Sequence, residues 1–437
     1  MNLQVVIGCH SFSHNPHRIF ENLAGVPLLE YSIRHAQNLH PASIGVLIDS
    51  KMDSLQKGFI QKFSNSKIPV IFKKNNEVFS WLTSGHGADD LLFVDVGMPL
   101  IQSSTLKALQ RWHHQEANEG TFLIPQWPHE NQFEKSIVAQ GNLSKTLDLW
   151  DAEGMVNAEH AWGSACFFKK KGLKTILTKK NSNHFSFQML LKKSRTLELK
   201  LGTLTFKEVS EALHVSNGEN WSDAHRFLTR QRIKALQQQG VVFWNANTVE
   251  IDPEIKIGVQ SVIEGGVTLK GKTVIGERCH IGAGSMLVNA RLGNNVVVQS
   301  SCVVNSMIGN ACDVGPYAHV RGESYLYPKV HVGTHAELKH AIVQTGSKIG
   351  HFSYVGDAQL GKAVNVGAGC VFANYDGRQK HQTKVGDHVF LGSNSTLVAP
   401  LWIGKSALIA AGAVVTKDVL PNNRVAGVPA RPMKLNG

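Results

Sequence analysis

The sequence predicts an α/β domain followed by a parallel β-helix, and three observations carry that reading. From Ile251 to Val415 an aliphatic side chain returns at every sixth residue, often followed by glycine. The first half instead alternates short apolar runs with helical patterns, as layered α/β domains do. At 437 residues the chain is also too long for one ordinary core, so two domains are expected.

In the first half the strand candidates are Leu3 to Ile7, Ile44 to Ile48, Pro69 to Phe72, Leu91 to Val96 and Phe122 to Ile124. Between the first two, Pro27 to Leu39 puts Leu28, Leu29, Ile33, Ala36 and Leu39 on one helical face, with proline at a tolerated first position. A mostly parallel sheet follows. Ser222 reads as the N-cap of a helix that runs to Gln239 and stops at Gly240. The expected division is therefore an α/β domain over 1–222, a joining helix over 223–244 and the repeat domain over 245–437.

The repeat anchors run Ile251, Ile257, Ile263, Leu269, Ile275, Ile281 and Leu287, slip, and resume through Val314, Val320, Leu326, Val332, Leu338, Ile349, Val355, Val366, Leu391, Leu397, Ile403, Ile409 and Val415. Three faces of six residues close one triangular coil, so each anchor points inward and stacks on the anchor of the next coil. At about 1.5–3 kcal/mol for each aliphatic side chain taken from water, the stack holds a domain without disulfides. Glycine after the anchor, as at Gly276, Gly350 and Gly367, suits a corner that a side chain would crowd. Steps of five, Leu287 to Leu292 and Leu338 to Val343, are corner deletions. Between Phe372 and Val385 a polar stretch, Asn374 to His381, leaves the coil as a loop, where rigid solenoids commonly carry binding residues.

Lys and Arg exceed Asp and Glu by 12, which favours an anionic partner. The basic residues are dispersed and no aromatic-plus-basic stretch forms a nucleic-acid platform, so small phosphates are favoured over nucleic acid. The six cysteines, Cys9, Cys166, Cys279, Cys302, Cys312 and Cys370, lie far apart with no C-x-x-C pair, as in a reducing cytosol. No basic n-region with an apolar core opens the chain and no apolar run spans a membrane. A soluble cytoplasmic protein without membrane insertion is expected.

The stretch from Gly315 to Ala399 carries His351-Phe-Ser-Tyr354-Val-Gly-Asp357-Ala, Asn365-Val-Gly-Ala368-Gly369, Asn374-Tyr375-Asp376-Gly377 and Phe390-Leu-Gly-Ser393-Asn-Ser-Thr-Leu397-Val-Ala-Pro400. In order and spacing these resemble the acetyltransferase domain of the bifunctional N-acetylglucosamine-1-phosphate uridyltransferase/glucosamine-1-phosphate N-acetyltransferase family, GlmU. The resemblance implies a left-handed β-helix, acetyl-CoA as co-substrate and a homotrimer. It implies His351 as general base, Arg321, Lys339, Tyr354 and Asn365 around the sugar phosphate, and Ala368, Asn374, Tyr375, Ser393 and Ala411 along the acetyl-CoA groove. The chemistry of these residue types agrees. An attacking amine must lose a proton, and an imidazole that titrates near neutrality can take it. Arginine offers a fork to phosphate oxygens and lysine a compact charge. Lys380, in the loop, is a weaker candidate that reaches toward a neighbouring subunit. The tail departs from the family: Arg424 to Pro432 is similar to the ending of other hexapeptide acyltransferases, and Arg424, Arg431 or Lys434 would replace the family's CoA-holding arginine.

Asn22-Leu23-Ala24-Gly25 and Phe93-Val94-Asp95-Val96 resemble patches of the same family's uridyltransferase domain, which makes the first half a nucleotidyltransferase-like, Rossmann-type domain. Its chemistry is depleted. The family's G-x-G-T-R-M phosphate loop is replaced by Gly8-Cys9-His10-Ser11-Phe12-Ser13-His14, and the Q-x-G-T-x-H-A segment is absent. Arg18 takes the place of the family's lysine, Asp95 that of its magnesium-binding aspartate, and Asn217 neighbours the second metal position. Mg2+ would be needed only if this half were active, and loss of uridylyl transfer is expected.

The resulting expectation is acetyl transfer to glucosamine-1-phosphate, supplying UDP-N-acetylglucosamine, peptidoglycan and lipopolysaccharide precursors. Its alternatives are acyl transfer to a different amino sugar and a first domain kept as a non-catalytic sugar-nucleotide-binding or scaffold module. A zinc hydratase of the left-handed helix type is disfavoured, because His335 and His340 have a ligand-like separation but no third histidine matches.

Overall fold

The computed structural model describes residues 3–9, 16–48, 61, 63, 66–74, 81, 89–125, 165–177, 187–206, 208–215 and 218–433. His10 to His14, Asn217 and Lys434, singled out in the sequence, lie outside the described residues. The chain divides into two compact units, Met1–Leu228 and Thr229–Gly437.

The first unit is built on strands β1 (Leu3–Gly8), β2 (Ser43–Ile48), β3 (Val70–Lys74), β4 (Asp90–Asp95), β5 (Gly120–Pro125), β6 (Ala165–Lys169) and β7 (Leu201–Phe206). They form one sheet in the order β3-β2-β1-β4-β6-β5-β7. All neighbours are parallel except β6, which runs against both β4 and β5. Alternation explains why the strands read as continuous apolar runs. Val5, Ile7, Val46, Leu92 and Val94 enter one core, while Val6, Leu47, Leu91 and Phe93 enter another, so both faces are covered.

Helix α1 (Leu28–Gln37) starts after Pro27, which takes the N-cap place rather than the first turn. It is followed by α2 (Ser103–Gln115), α3 (Lys170–Ile176), α4 (Phe187–Thr196) and α5 (Gly218–Gln238). The sequence placed the N-cap of α5 at Ser222 and its first turn at 223, five residues after the observed start at Gly218. Asn220 donates its side-chain amide to the His214 carbonyl at 2.8 Å, and Trp221 and Ala224 pack in the first unit's core, which carries the helix back to Gly218. Ile233 and Leu236, further along α5, enter the second unit's core, and Gly240 ends it at a φ of 90°.

The second unit is a left-handed parallel β-helix. Its first face begins with Val242–Phe243, which pairs with Val262–Ile263, and continues through His280–Ile281, Val297–Val298, Asp313–Val314, His331–Val332, Lys348–Ile349, Asn365–Val366, Phe390–Leu391, Leu408–Ile409 and Arg424–Ala426. The second face includes Met286–Val288, His319–Arg321, Val371–Ala373 and Thr396–Val398, and the third Tyr325–Leu326, Thr383–Val385 and Leu401–Ile403. Glu337–Val343 and Tyr354–Leu360 run unbroken from second face to third. Every predicted anchor is buried in one continuous core.

Most corners are made by one residue in the left-handed region. Between second and third faces these are Gly271, Asn289, Asn305, Gly322, His340 and Asp357; between first and second they include Tyr317, His335, Phe352, Gly369, Asn394 and Gly412. Asparagine tolerates that conformation and adds its own ladder, Asn289 Nδ2 donating to Asn305 Oδ1 at 3.0 Å. The glycine after an anchor answers a different need. A Cβ on Gly367 would sit 2.6 Å from the Ser393 nitrogen and 2.8 Å from the Leu391 oxygen, inside the backbone of the coil above. All six cysteines are free, and no described helix is long and apolar enough to cross a membrane.

Candidate active site

His351 stands two residues after the inward anchor Ile349, where the first face turns into the second. The same place in neighbouring coils is taken by Thr334, Ala368, Ser393 and Ala411. Their stacking is written in the backbone: the Thr334, His351, Ala368 and Ser393 carbonyls accept the amides of Phe352, Gly369, Asn394 and Gly412 at 3.0, 2.8, 2.8 and 2.9 Å. With coils about 4.8 Å apart, the column rises about 14 Å from His351 to Ala411. Above the exposed imidazole every side chain in it is small, which leaves the backbone of these corners close to the surface. Below, the ring lies over Gly333, whose missing Cβ would come 3.0 Å from Nδ1.

The second face, beside this corner, carries the charge. Arg321 pairs with Lys339 and Lys339 with Gly356 across adjacent coils, and Glu337 with Tyr354. Arg321 donates through Nε and Nη2 to Glu337 Oε1 at 2.8 and 2.5 Å. The Lys380 amine beside Lys339, by hydrogen bonding and by charge, holds the Lys339 ammonium below the ordinary lysine range, with burial and Arg321 adding and Asp357 opposing. Within the single chain Lys380 lies against Lys339.

That placement comes from the loop's own geometry. Asp376 accepts the amides of Arg378 and Gln379 at 2.7 and 2.8 Å and faces His381 Nε2 at 2.7 Å. Those contacts, the Gln379 amide foremost, hold its carboxyl well below the usual range. A single antiparallel bridge joins Tyr375 to Lys380. Tyr375 itself stands exposed, its hydroxyl donating to the Gly377 carbonyl at 2.8 Å.

Tyr354 folds over Gly356: a Cβ there would meet the phenol oxygen at 2.4 Å and Asn374 Nδ2 at 2.7 Å. Buried Asn374 donates Nδ2 to the Tyr354 hydroxyl at 3.4 Å and to Asp357 Oδ2. Asn365 lies across the corner on the first face, between Lys348 and Phe390 of adjacent coils. The corner therefore brings His351, Ala368, Ser393 and Ala411 into one line, with Arg321, Lys339 and Tyr354 on the adjoining face and Asn374 at the far corner of that face. Glu337, Asp357 and Gly356 were not assigned from the sequence; Gly356 and Asp357 stand in the first of the ordered motifs, and Glu337 lies outside them all.

His335 and His340 occupy different corners. The His335 ring stacks on Phe352 with centroids 5.0 Å apart, and His340 Nδ1 lies 3.3 Å from Asp357 Oδ1. Among the described residues no group of three His, Cys, Asp or Glu side chains is arranged to hold a metal ion.

In the first unit Asp95 ends β4 beside Gly8 of β1. Its Oδ1 accepts the Gly97 amide at 2.7 Å and faces His214 Nε2 at 3.5 Å. Gly97 leaves room for that ring, since a Cβ would lie 2.2 Å from Nε2. Burial, with the Asp95 charge adding, pushes the Cys9 thiol far above its ordinary value. Magnesium asks for an octahedral set of oxygens. The described neighbours of Asp95 are an amide, an imidazole and a thiol, while Asn217, beside the second metal position expected from the sequence, lies outside the described residues. Arg18 places its guanidinium over the Trp221 ring, 5.4 Å from the centroid.

Comparison with known proteins follows the same division. The family described as "GlmU-like, C-terminal hexapeptide" matches residues 278–364, and "Hexapeptide repeat of succinyl-transferase" matches residues 382–417. The Bifunctional protein GlmU of Listeria monocytogenes is 31% identical over 410 residues, covering 92% of this chain and 90% of its own. That of Enterococcus faecalis is 33% identical over 396 residues, 89% of this chain and 86% of its own. That of Alkaliphilus metalliredigens is 34% identical over 329 residues, 74% and 72%. Similarity of this degree, spread across both units, shows that the chain belongs to the GlmU family.

Proposed function

We propose that the second unit transfers an acetyl group from acetyl-CoA to the amino group of glucosamine-1-phosphate, giving N-acetylglucosamine-1-phosphate for UDP-N-acetylglucosamine, peptidoglycan and lipopolysaccharide precursors. The observation that carries it is the column of small residues above His351, set beside the cations of the second face. Acetyl-CoA lies along Ala368, Ser393 and Ala411, with Asn374 and Tyr375 at its side. Backbone close to the surface along this column suits a thin pantetheine arm. The sugar phosphate is held by Arg321 and Lys339, with Tyr354 and Asn365 on its hydroxyls.

His351 takes a proton from the attacking amine as the N–C bond forms at the thioester carbonyl. The C–S bond then breaks, and the proton passes to the departing CoA thiolate. Such general-base assistance is worth about 100- to 10,000-fold. A cytoplasmic homotrimer completes the proposal, since the second face of a single chain exposes Met286, Val371 and Val398 to water. Arg424 and Arg431, both exposed at the last coil, are the described basic residues in the tail that could meet CoA phosphates.

The first unit, in this reading, no longer makes a sugar nucleotide. Asp95 is engaged by Gly97 and His214, and the unit serves as a scaffold or sugar-nucleotide-binding module. Free-thiol release from acetyl-CoA, compared across glucosamine-1-phosphate and other aminosugar phosphates, tests the acceptor; faster turnover of a different amino sugar would replace the assignment. Pyrophosphate release by the full chain from UTP and N-acetylglucosamine-1-phosphate would overturn the loss of uridylyl transfer.

A further inference from the structure

The corner between second and third faces stacks Gly322, His340, Asp357 and Asn374, one from each successive coil. Asp357 is the hub of that stack. Its Oδ2 accepts Asn374 Nδ2 and its Oδ1 faces His340 Nδ1 at 3.3 Å. The same Asn374 nitrogen reaches the Tyr354 hydroxyl at 3.4 Å, and Tyr354 is free to fold there only because Gly356 has no side chain. Asp357 also acts on Lys339, whose ammonium its charge favours against the opposing pull of Lys380.

An ionised carboxylate only accepts hydrogen bonds, so the asparagine amide cannot turn its oxygen toward Asp357. One carboxylate therefore decides which end of Asn374 is which and supplies the anchor against which the Tyr354 hydroxyl is placed. Asn374 belongs to the proposed acetyl-CoA side and Tyr354 to the proposed sugar side. We infer that Asp357 is a positioning residue that aligns both halves of the transferase site through Asn374, with His340 steadying its second oxygen. The inference rests on the transferase reading above and adds a residue that neither touches substrate in that reading nor takes part in the proton transfer.

The test is steady-state kinetics on the full chain with acetyl-CoA and glucosamine-1-phosphate, for the native protein, Asp357→Ala, Asn374→Ala and the double variant, each with its Tm. A lost hydrogen bond to a charged group predicts that Asp357→Ala raises KM for both co-substrates about tenfold or more. Because Asp357 acts through Asn374, the double variant should be no worse in acetyl-CoA KM than Asn374→Ala alone. Asp357→Asn can still accept from Asn374, so it should raise both KM values only about threefold with Tm unchanged; this variant decides the matter if Asp357→Ala does not fold. Additive effects on acetyl-CoA KM, or KM values at the native level in either Asp357 variant, overturn the inference while leaving the transferase reading intact. Absence of acetyl transfer by the native chain overturns the reading and the inference with it.

Discussion

Replacing Gly356 by alanine separates the site from the scaffold that carries it. The backbone there is extended strand, so alanine adopts it without strain. The new Cβ would meet the Tyr354 phenol oxygen at 2.4 Å, its Cζ at 2.6 Å and Asn374 Nδ2 at 2.7 Å. All three are side-chain ends, which can give way. To regain van der Waals distance the phenol must move by about 1 Å, a displacement that can cost about 100-fold in rate when the moved group orients substrate, or about 2.7 kcal/mol of transition-state stabilisation. Overpacking itself destabilises by about 1–3 kcal/mol.

Gly367→Ala supplies the control, because its Cβ strikes backbone at Ser393 and Leu391, which cannot step aside without opening the coil. Thiol release and thermal unfolding of both variants should therefore diverge. Gly356→Ala loses about 100-fold in kcat/KM with the smaller fall in Tm, and Gly367→Ala shows the larger fall in Tm. Native kcat/KM in Gly356→Ala would refute the placement of Tyr354 against the acceptor.

Three further outcomes follow from the same geometry. Leu338, fully buried between Val320 and Val355, should lose about 2–5 kcal/mol on truncation to alanine in denaturant unfolding, whereas Ile342→Ala, on the outer surface of the same strand, should change stability far less; equal effects would contradict the stacked core. Lys380→Ala should raise the Lys339 ammonium back toward the ordinary lysine range, read by an NMR titration of the Lys339 side chain, and an unmoved titration would place Lys380 elsewhere. In the first unit, burial pushes His113 down from 6.5 to about 3. The unfolded chain thus binds a proton that the folded one refuses, so stability is full above pH 6.5 and falls as pH drops toward 3, by about 1.4 kcal/mol per pH unit. His113→Gln should flatten that limb in acid titrations of unfolding; an unchanged slope would mean the imidazole protonates in place.

The solenoid was legible because every anchor meets the same environment. An inward aliphatic residue at each sixth place survives the five-residue corners, since Asn289 and His340 take the left-handed turn with one residue fewer. The α/β unit was legible where strands are buried on both faces, as in β1 and β4. It was not at β6, whose buried run from Ala165 to Phe168 is too short to separate strand from helix, or at β7, where Gly202 interrupts the apolar pattern.

The column was hidden for another reason. His351, Ala368, Ser393 and Ala411 are separated by 17, 25 and 18 residues, because the Asn374 to His381 loop intrudes, and only the family resemblance linked them. Asp357 escaped notice because its partners lie one coil away on either side, a relation that no local pattern records.

The proposed transfer depends on the imidazole at the foot of the column taking the proton from the attacking amine. Free-thiol release from acetyl-CoA with saturating glucosamine-1-phosphate, measured for the native chain and His351→Ala, tests it most directly. The expected result is a fall in kcat of about 100-fold or more with KM for both co-substrates little changed. Native kcat with a raised KM would contradict it, because His351 would then bind substrate without moving the proton.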